Sequence, residues 1–283
     1  MSEIGYLNGK FSRLEDIRLH PEDRGFLFGD GVYEVIRTYG GKPAFWADHY
    51  TRLSRSAGEI EIALPFGRET FHDILVSGIR QCALSEVKIY IQITRGVAPR
   101  DHVFPSPCEP TVFMSFKEIG KLPSSIQDAG ISVVTVPDIR WGRCDIKSLN
   151  LLPNVLAKQR AKEGGVFEAI FIRENMVMEG ATSNLFMVQD DTVCTPLINH
   201  QVLAGVTQQH VMQLIRHLGK KMDSRPITLQ ELLASDEVFL TGTTIEILPV
   251  VVIDGCQIGE GRPGLMTQKL QRKFVSLVGG ERL

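Results

Sequence analysis

The stretch RWGRCDIKSLNLLPN, residues 140–154, places a single lysine, Lys147, between Ile146 and a run that contains three leucines. An ammonium group beside that much apolar surface must reach water, find a partner or lose its proton. Two interpretations are open at this point. The side chain extends along the apolar surface to solvent, or it is desolvated and its amine is a nucleophile that forms a Schiff base with a carbonyl compound.

The composition is that of a folded protein without a dominant charge. The chain has 283 residues, of which 43% are hydrophobic and 23% charged, and its formal net charge is -2. A length of this kind is sufficient for two domains. The charge balance speaks against the strongly basic surface that binding to nucleic acid or an anionic membrane requires. Large polyanions are therefore not expected as partners.

Cysteine usage and the N-terminus indicate a compartment. The five cysteines are scattered and show no CxxC spacing, so neither a disulfide framework nor a zinc site is indicated. The first residues lack a basic stretch followed by an apolar core, and no apolar run of 18 residues occurs. We expect a cytoplasmic protein with reduced thiols.

Alternation of apolar and polar residues predicts most of the regular structure. VKIYIQITR, residues 87–95, alternates in the period of a half-buried strand. VYEVIRTY, residues 32–39, precedes two glycines and KPAF, which predicts a hairpin. Asp254-Gly255 predicts another hairpin near the C-terminus. Because strands outnumber helices and cluster in hairpins, we expect an α+β fold rather than alternating βαβ units.

Helix signals mark fewer elements. Pro153 and Gly164 are the expected start and stop residues of one helix. Thr228 and Glu231 form the capping box of another. The segment KEIGKLPSSIQDAG, residues 117–130, has mixed polarity and separates two strand-rich halves.

This separation predicts the domain organisation. We place the boundary at residue 120, which gives an N-terminal α+β domain of residues 1–120. The C-terminal domain, residues 121–283, then contains Lys147 and is expected to bind the ligand with which that lysine reacts.

A lysine-bound aldehyde cofactor with a phosphate would require an anion site. LAGVT, residues 203–207, enters a predicted helix, where free backbone N–H groups and the helix dipole favour phosphate. An ordinary helix start has the same pattern. Thr243 and Thr244 could add amides and hydroxyls, although TGTT is equally typical of a plain turn. Arg52 could supply positive charge, or could simply be solvated.

Two further stretches could complete such a site. Glu179, in MVMEGATSNLF, follows a short apolar strand, and its carboxylate could hold a protonated ring nitrogen; by itself it would be a turn glutamate. Arg100 and His102, in the tripeptide RDH, could bind a carboxylate, although PRDH is often an exposed turn. The roles of the neighbouring Thr182 and Ser183 are open.

The ordered set of motifs resembles the fold type IV pyridoxal-phosphate-dependent enzymes. The likeness rests on KSLNLL, EGATSNLF, LAGVT and TGTTIEI in this order and runs essentially from end to end, including EDRGFLFGDGVYEVIR near the start. It implies a two-domain fold with a smaller N-terminal domain. The larger C-terminal domain would have a β-barrel-like core, with pyridoxal 5'-phosphate at the domain interface.

Within that family the sequence is most similar to the D-amino-acid aminotransferases, through GDGVYEV, TRGVAPRDHVF and DIRWGRCDIKSLNLL. The resemblance implies that Lys147 is the Schiff-base lysine and Glu179 the partner of the pyridine nitrogen, with Leu203 packed against the ring. The implied phosphate-binding residues are Arg52, Val206, Thr207 and Thr243. The implied substrate-carboxylate residues are Tyr33, Arg100 and His102.

The resemblance also implies an activity and an assembly. The activity is ping-pong transamination between D-amino acids, D-alanine and D-glutamate, and the 2-oxo acids pyruvate and 2-oxoglutarate. The assembly is a homodimer in which Arg100 and His102 reach the neighbouring active site. Alternatives on the same scaffold are an (R)-selective primary amine transaminase, a branched-chain L-amino acid aminotransferase and a lyase. An alternative of another class is a phosphate-ligand binding module without turnover, which would need neither Lys147 nor Glu179.

Overall fold

The computed structural model describes residues 3–120 and 122–279. The chain divides into two compact units. The first contains the residues up to 120 together with residues 146–150, and the second contains residues 121–145 and those from 151 onward. The segment that carries Lys147 therefore belongs to the first unit, although the residues on both sides of it belong to the second.

The first unit is an antiparallel sheet with helices. Its elements are β1 (Ile4–Leu7), β2 (Lys10–Arg13), α1 (Arg24–Phe28), β3 (Gly31–Tyr39), β4 (Lys42–Pro43), α2 (Trp46–Glu59), α3 (Arg68–Cys82), β5 (Val87–Thr94) and β6 (Thr111–Glu118). The strand order is β2-β1-β6-β5-β3-β4, and each neighbouring pair is antiparallel. Alternate residues of β5 are fully buried, and they join Leu53 of α2 and Phe71 of α3 in one apolar core. Burial of these side chains holds the two helices on the sheet.

The second unit contains a mixed sheet. Its elements are α4 (Ser124–Ala129), β7 (Ile131–Pro137), α5 (Leu152–Glu163), β8 (Glu168–Arg173), β9 (Met176–Gly180), β10 (Asn184–Gln189), β11 (Thr192–Thr195), α6 (Val206–His217), β12 (Lys221–Ser224), α7 (Leu229–Leu233), β13 (Glu237–Gly242), β14 (Glu246–Ile253), β15 (Cys256–Gln257) and α8 (Leu265–Val278). The strand order is β12-β11-β10-β13-β14-β7-β8-β9, with β15 beside β14.

Chain connectivity makes this sheet curl. Four strands separate β9 from β10 in the sheet order, yet only residues 181–183 connect them in the chain. A connection that short cannot cross the width of four strands, at about 4.8 Å per strand, so the two strands must approach each other. Gly180 N–H accordingly donates to Ser183 O at 2.8 Å. The barrel-like character expected of this part of the chain is confirmed.

Most local signals agree with the structure. The α+β fold class is confirmed, and Glu231 N–H donates to Thr228 Oγ1 at 3.1 Å in the predicted capping box. The hairpin β1–β2 was not predicted, although Asn8-Gly9, with φ of 44° and 96°, is a favourable turn pair. The domain boundary at residue 120 stays a prediction, since a compact unit need not fold on its own. Among residues 3–120 and 122–279, no helix combines the length and apolarity that crossing a bilayer requires.

Candidate active site

Lys147 lies in a short segment that is hydrogen-bonded to two other elements of the first unit, helix α2 and strand β3. Its N–H donates to Ser56 Oγ at 3.1 Å, and its carbonyl accepts from Tyr33 N–H at 3.0 Å. The side chain is half-buried, and Nζ stands 4.2 Å from the centroid of the Tyr33 ring. The amine is thus placed over an aromatic face instead of extending freely along an apolar surface. Lys147 Nζ is thereby held beside Tyr33, and its role as a nucleophile stays a prediction.

Arg52, a predicted phosphate ligand, is engaged by a carboxylate inside the first unit. Its Nε and Nη2 donate to the two oxygens of Glu34 at 2.7 and 2.8 Å. The Oε2 atom of Glu34 is also 2.8 Å from Nδ1 of the buried His49. Burial opposes ionisation of Glu34, but Arg52 and His49 outweigh it and hold the pKa of Glu34 well below its usual range. Arg52 therefore already has an anionic partner that fixes its guanidinium.

Sequence reasoning missed Glu34. In β3 the residues Val32, Glu34 and Ile36 share the completely buried face of the strand. A glutamate at an inward position of an alternating strand is a signal, because a buried carboxylate needs a partner. Applied to VYEVIR, this reasoning would have pointed to a cation near Glu34.

The three predicted carboxylate-binding residues fall into two places. Tyr33 is half-buried beside Lys147. Arg100 and His102 are exposed on the loop of residues 95–110, and both lie against Phe28. The guanidinium carbon of Arg100 is 5.2 Å from the centroid of the Phe28 ring, and the His102 ring is 5.3 Å from it. The structure thus brings Arg100 and His102 together and places Tyr33 with the lysine.

Glu179 is buried in the second unit among hydrogen-bond donors. Leu203 N–H lies 3.2 Å from each carboxylate oxygen, and Asn184 Nδ2 donates to Oε2 at 3.2 Å. Arg140 Nη1 forms an ion pair with Oε1. Arg140 is itself held by Asp138, whose carboxylate accepts from Nε at 2.9 Å and from Nη2 at 3.0 Å. These donors favour the charged carboxylate of Glu179.

Arg140 is the second functional residue that sequence reasoning missed. Burial lowers its pKa, but the carboxylates of Asp138 and Glu179 outweigh burial and raise it above the ordinary value, so the guanidinium stays charged. Its side chain also lies over the Phe171 ring, 4.4 Å from the centroid. Arg140 stands 39 positions before Glu179 in the chain, and no local pattern connects the two.

The predicted phosphate site at LAGVT is a helix start. Helix α6 begins at Val206, and the N-cap is Gly205, whose carbonyl accepts from Gln209 N–H at 3.0 Å. The N–H groups of Val206 and Thr207 occupy the first turn, where the helix supplies no acceptor. A Cβ at Gly205 would overlap Asn184 Oδ1. Glycine thus lets the helix start lie against the side chain that also holds Glu179.

Thr243 lies in the turn between β13 and β14 and is half-buried. Thr241, two residues earlier, is completely buried, and its Oγ1 has no hydrogen-bond partner in the described part of the chain.

The sequence did not predict which residues Thr182 and Ser183 contact. Their hydroxyls lie 2.6 and 3.4 Å from Oε2 of the buried Glu168, so they tie the turn after Glu179 to β8.

Comparison with known proteins identifies the class. A model of the family described as amino-transferase class IV matches residues 31–253. The D-alanine aminotransferase of Bacillus licheniformis is 41% identical over 264 residues, which are 93% of this chain and 93% of that protein. The branched-chain amino acid aminotransferase of Escherichia coli has a TM-score of 0.93 at 27% identity, covering 100% of this chain and 97% of that one. The branched-chain amino acid aminotransferase of Thermoproteus uzoniensis, solved with norvaline, has a TM-score of 0.89 at 26% identity, with coverage of 100% and 96%.

The chain belongs to the class IV aminotransferases. It is an enzyme of that family, and pyridoxal 5'-phosphate is its cofactor. The donor sets of the two units fit this group. The second unit offers an ionised carboxylate for a protonated ring nitrogen, together with the free amides of a helix start for a phosphate. The first unit offers a half-buried amine for the aldehyde.

Proposed function

We propose that the protein catalyses transamination between D-amino acids, D-alanine and D-glutamate, and the 2-oxo acids pyruvate and 2-oxoglutarate. The observation that carries this proposal is the identity of 41% to a protein named D-alanine aminotransferase, over 93% of both chains. The pairing of Arg100 and His102 on one aromatic ring supports it further, because an amino acid presents a carboxylate that a simple amine lacks.

Pyridoxal phosphate supplies an aldehyde that condenses with amines and a protonated ring that takes up an electron pair from the substrate carbon. Lys147 Nζ is the proposed amine that binds this aldehyde. When an amino substrate occupies the site, Lys147 Nζ would be the general base and acid that takes up and returns the substrate's α-proton. The Tyr33 ring, whose centroid is 4.2 Å from Nζ, would limit the positions that this nitrogen can take. Because one amine enters and one product leaves before the second substrate binds, the kinetics are ping-pong.

Glu179 is the proposed partner of the cofactor's ring nitrogen. Its carboxylate is kept charged by Arg140 and the Leu203 N–H, and a charged carboxylate stabilises a proton on that nitrogen. The Leu203 side chain would pack beside the ring. The proposed phosphate ligands are the amides of Val206 and Thr207, the hydroxyls of Thr207 and Thr243, and Arg52.

Tyr33, Arg100 and His102 are the proposed residues that bind the substrate carboxylate. A guanidinium, a phenol and an imidazole together supply charge-assisted donors for both carboxylate oxygens. Arg100 and His102 are proposed to act in the neighbouring subunit of a homodimer. Exposed apolar side chains occur on the same loop, where Val103 is 73% and Phe104 50% exposed, and in α1, where Phe26 is 77% exposed. Apolar surface of this kind is typical of a face that another protein chain covers.

The structural neighbours favour one alternative, a branched-chain L-amino acid aminotransferase. Rates with D-alanine, L-leucine and (R)-1-phenylethylamine distinguish the candidates, each measured with 2-oxoglutarate as acceptor. We expect D-alanine to react fastest. A preference for L-leucine would establish the branched-chain alternative, and turnover of the aryl amine alone would establish an (R)-selective amine transaminase.

The Schiff-base lysine is tested chemically. Borohydride reduction of the holoenzyme followed by digestion should give one cofactor-labelled peptide, and it should contain Lys147. The Lys147→Ala variant should remain unlabelled and inactive. A label on another lysine would contradict the assigned role.

We also propose a cytoplasmic location. All five cysteines are unpaired thiols, at positions 82, 108, 144, 194 and 256. Unpaired thiols in a chain of this size agree with a reducing compartment. Fractionation of the native host, followed by an assay for D-alanine transamination, would test the location.

A further inference from the structure

A buried arginine anchors the loop that carries Arg100 and His102. Arg24, at the start of α1, is 3% exposed. Its Nη1 donates to the carbonyl of Asp101 and, at 3.4 Å, to that of Val103. Its Nη2 reaches the carbonyl of His102 at 3.4 Å. One guanidinium therefore contacts three successive carbonyls of the loop from its inner side.

Asp30 fixes this anchor and a second arginine. Its Oδ2 accepts from Arg24 Nε at 2.8 Å and from Arg95 Nε at 2.8 Å, and its Oδ1 accepts from Arg95 Nη2 at 3.0 Å. Burial raises the pKa of Asp30, but the hydrogen bonds and charges of Arg95 and Arg24 outweigh burial and lower it below the usual value. Asp30 thus stays ionised and binds both cations. Arg95 in turn lies over the ring of Phe104, with its guanidinium carbon 3.6 Å from the centroid.

Phe28 connects the anchor with the two substrate-binding candidates. The guanidinium carbon of Arg24 is 4.9 Å from the centroid of its half-buried ring. Arg100 and His102 approach the same ring at 5.2 and 5.3 Å. Cations and neighbouring rings are attracted to an aromatic face or edge at these distances. The ring therefore restricts the side chains of Arg100 and His102, which would otherwise sample several rotamers in solvent.

We propose that Phe28 is a positioning residue for substrate-carboxylate binding. Its ring holds the guanidinium of Arg100 and the imidazole of His102 side by side, while Arg24 and Asp30 hold the loop backbone beneath them. The pair is thereby preorganised before substrate arrives, which lowers the entropic cost of binding. This inference rests on the proposed function of Arg100 and His102. It makes Phe28 a determinant of carboxylate affinity and not of proton transfer.

The test compares two phenylalanine-to-leucine variants of the holoenzyme. Phe28→Leu removes the aromatic face that Arg100 and His102 share. Phe66→Leu removes the same atoms from another half-buried ring of the first unit, which packs edge-on against Phe71 at 5.4 Å. Carboxylate binding is measured directly by titration with propionate, followed through the absorbance of the bound cofactor, and KM and kcat are measured with D-alanine.

We expect Phe28→Leu to raise the dissociation constant of propionate and the KM of D-alanine about tenfold, because two side chains lose their shared support. Its kcat and cofactor content should stay within about twofold of the parent, since proton transfer is not involved. Phe66→Leu should leave both constants unchanged. Phe28→Tyr, which keeps the aromatic face, should restore affinity.

Two results would overturn the inference. One is equal propionate affinity in the Phe28→Leu and Phe66→Leu variants. The other is a parallel loss of cofactor or kcat in Phe28→Leu, which would make Phe28 a general structural residue. Failure of the proposed function would look different, because the parent would then bind propionate without transaminating D-alanine.

Discussion

The carboxylate of Glu34 lies in the interior of the first unit between an arginine and a histidine. Glu34→Gln would remove a carboxylate that binds two nitrogens of the Arg52 guanidinium, whose side chain is only 10% exposed. We predict that the free energy of unfolding falls by about 3 to 5 kcal/mol, the range for breaking a buried ion pair. Urea denaturation of the parent and the variant measures this change.

The control for this prediction is a pair of the same chemistry on the surface. Arg68 and Glu69 are 54% and 80% exposed, and an exposed pair contributes little because water and salt screen it. Glu69→Gln should therefore leave the urea midpoint almost unchanged. An equal effect of the two substitutions would show that Glu34 has no special electrostatic role.

His49 predicts a pH dependence of stability. Burial lowers its pKa, the charges of Arg52 and Lys147 lower it further, and Glu34 offsets part of the effect. Native His49 therefore stays neutral while the unfolded chain takes up a proton as the pH falls below about 6.5. This contribution is fully retained above that pH and is lost below it, at up to about 1.4 kcal/mol per pH unit.

The measurement is the free energy of unfolding at pH 5, 6 and 7 for the parent and two variants. His49→Asn removes the titrating group, so its stability should fall less steeply with acidification than that of the parent. His72→Asn changes an exposed histidine of α3 and should keep the parent's slope. Identical slopes in all three proteins would contradict the assignment to His49.

At the level of residues, the sequence indicated candidate site residues but not their hydrogen-bond and ion-pair partners. Lys147 and Glu179 stood out because each is a charged residue beside apolar segments, and burial of such groups requires a reason. The ion pairs that hold the site join Glu34 to Arg52 and Arg140 to Glu179. These partners are distant in the chain, and only the folded backbone brings them together. The roles of the site residues toward cofactor and substrate stay predictions.

The start of helix α6 is the element on which phosphate binding is expected to depend. Gly205→Ala would place a Cβ that overlaps Asn184 Oδ1 and lies 3.1 Å from Gln208 Cβ. Asn184 cannot move freely, because its Nδ2 is bonded to Glu179 and to Leu203 O at 2.8 Å. We predict at least about a tenfold loss of cofactor affinity, since both the carboxylate and the helix start are displaced.

Reconstitution of the apoenzyme with pyridoxal phosphate measures this affinity. Gly164→Ala is the matched control, because Gly164 ends α5 at a φ of -76° and a Cβ there meets nothing closer than 3.5 Å. That variant should bind the cofactor like the parent. Parental affinity in Gly205→Ala would show that the contact with Asn184 is unimportant.

At the level of elements, signals confined to a few residues were the most informative. The Thr228–Glu231 box and the Asp254-Gly255 turn formed as predicted, because each contains its own hydrogen-bonding groups or its own favourable φ angles. The order of strands could not be predicted in this way. β6 lies between β1 and β5 in the first sheet, and this arrangement follows from packing between residues far apart in sequence.

At the level of the whole molecule, the division into two compact units assigns the Lys147 segment to the first unit. The expectation that residues 121–283 form one domain rests on the mixed polarity of residues 117–130, and it stays a prediction. Residues 146–150 belong to the first compact unit and are hydrogen-bonded to β3, where Leu149 N–H donates to Gly31 O at 3.0 Å. The chain passes between the compact units after residues 120, 145 and 150, and only the first of these passages has a compositional signal, the mixed polarity of residues 117–130.

The proposed homodimer predicts that two impaired variants recover activity when their chains assemble into one dimer. Arg100→Ala alone should lower the specificity constant for D-alanine by two to three orders of magnitude, roughly the 3 to 4 kcal/mol of a charge-assisted anchor. Lys147→Ala alone should be inactive. A hybrid dimer of the two variants has one site with an intact lysine and an intact Arg100 from the other chain, if the loop acts across the interface.

Random mixing of equal amounts gives hybrids in half of the dimers, each with one complete site of two, so about one quarter of the parental activity should return. The assay needs unfolding and refolding of the mixture, with each variant treated alone as its control. Were Arg100 to act within its own chain, each site of the hybrid would lack either the lysine or the arginine. No activity would then return, and the assignment of the loop to the neighbouring subunit would be wrong.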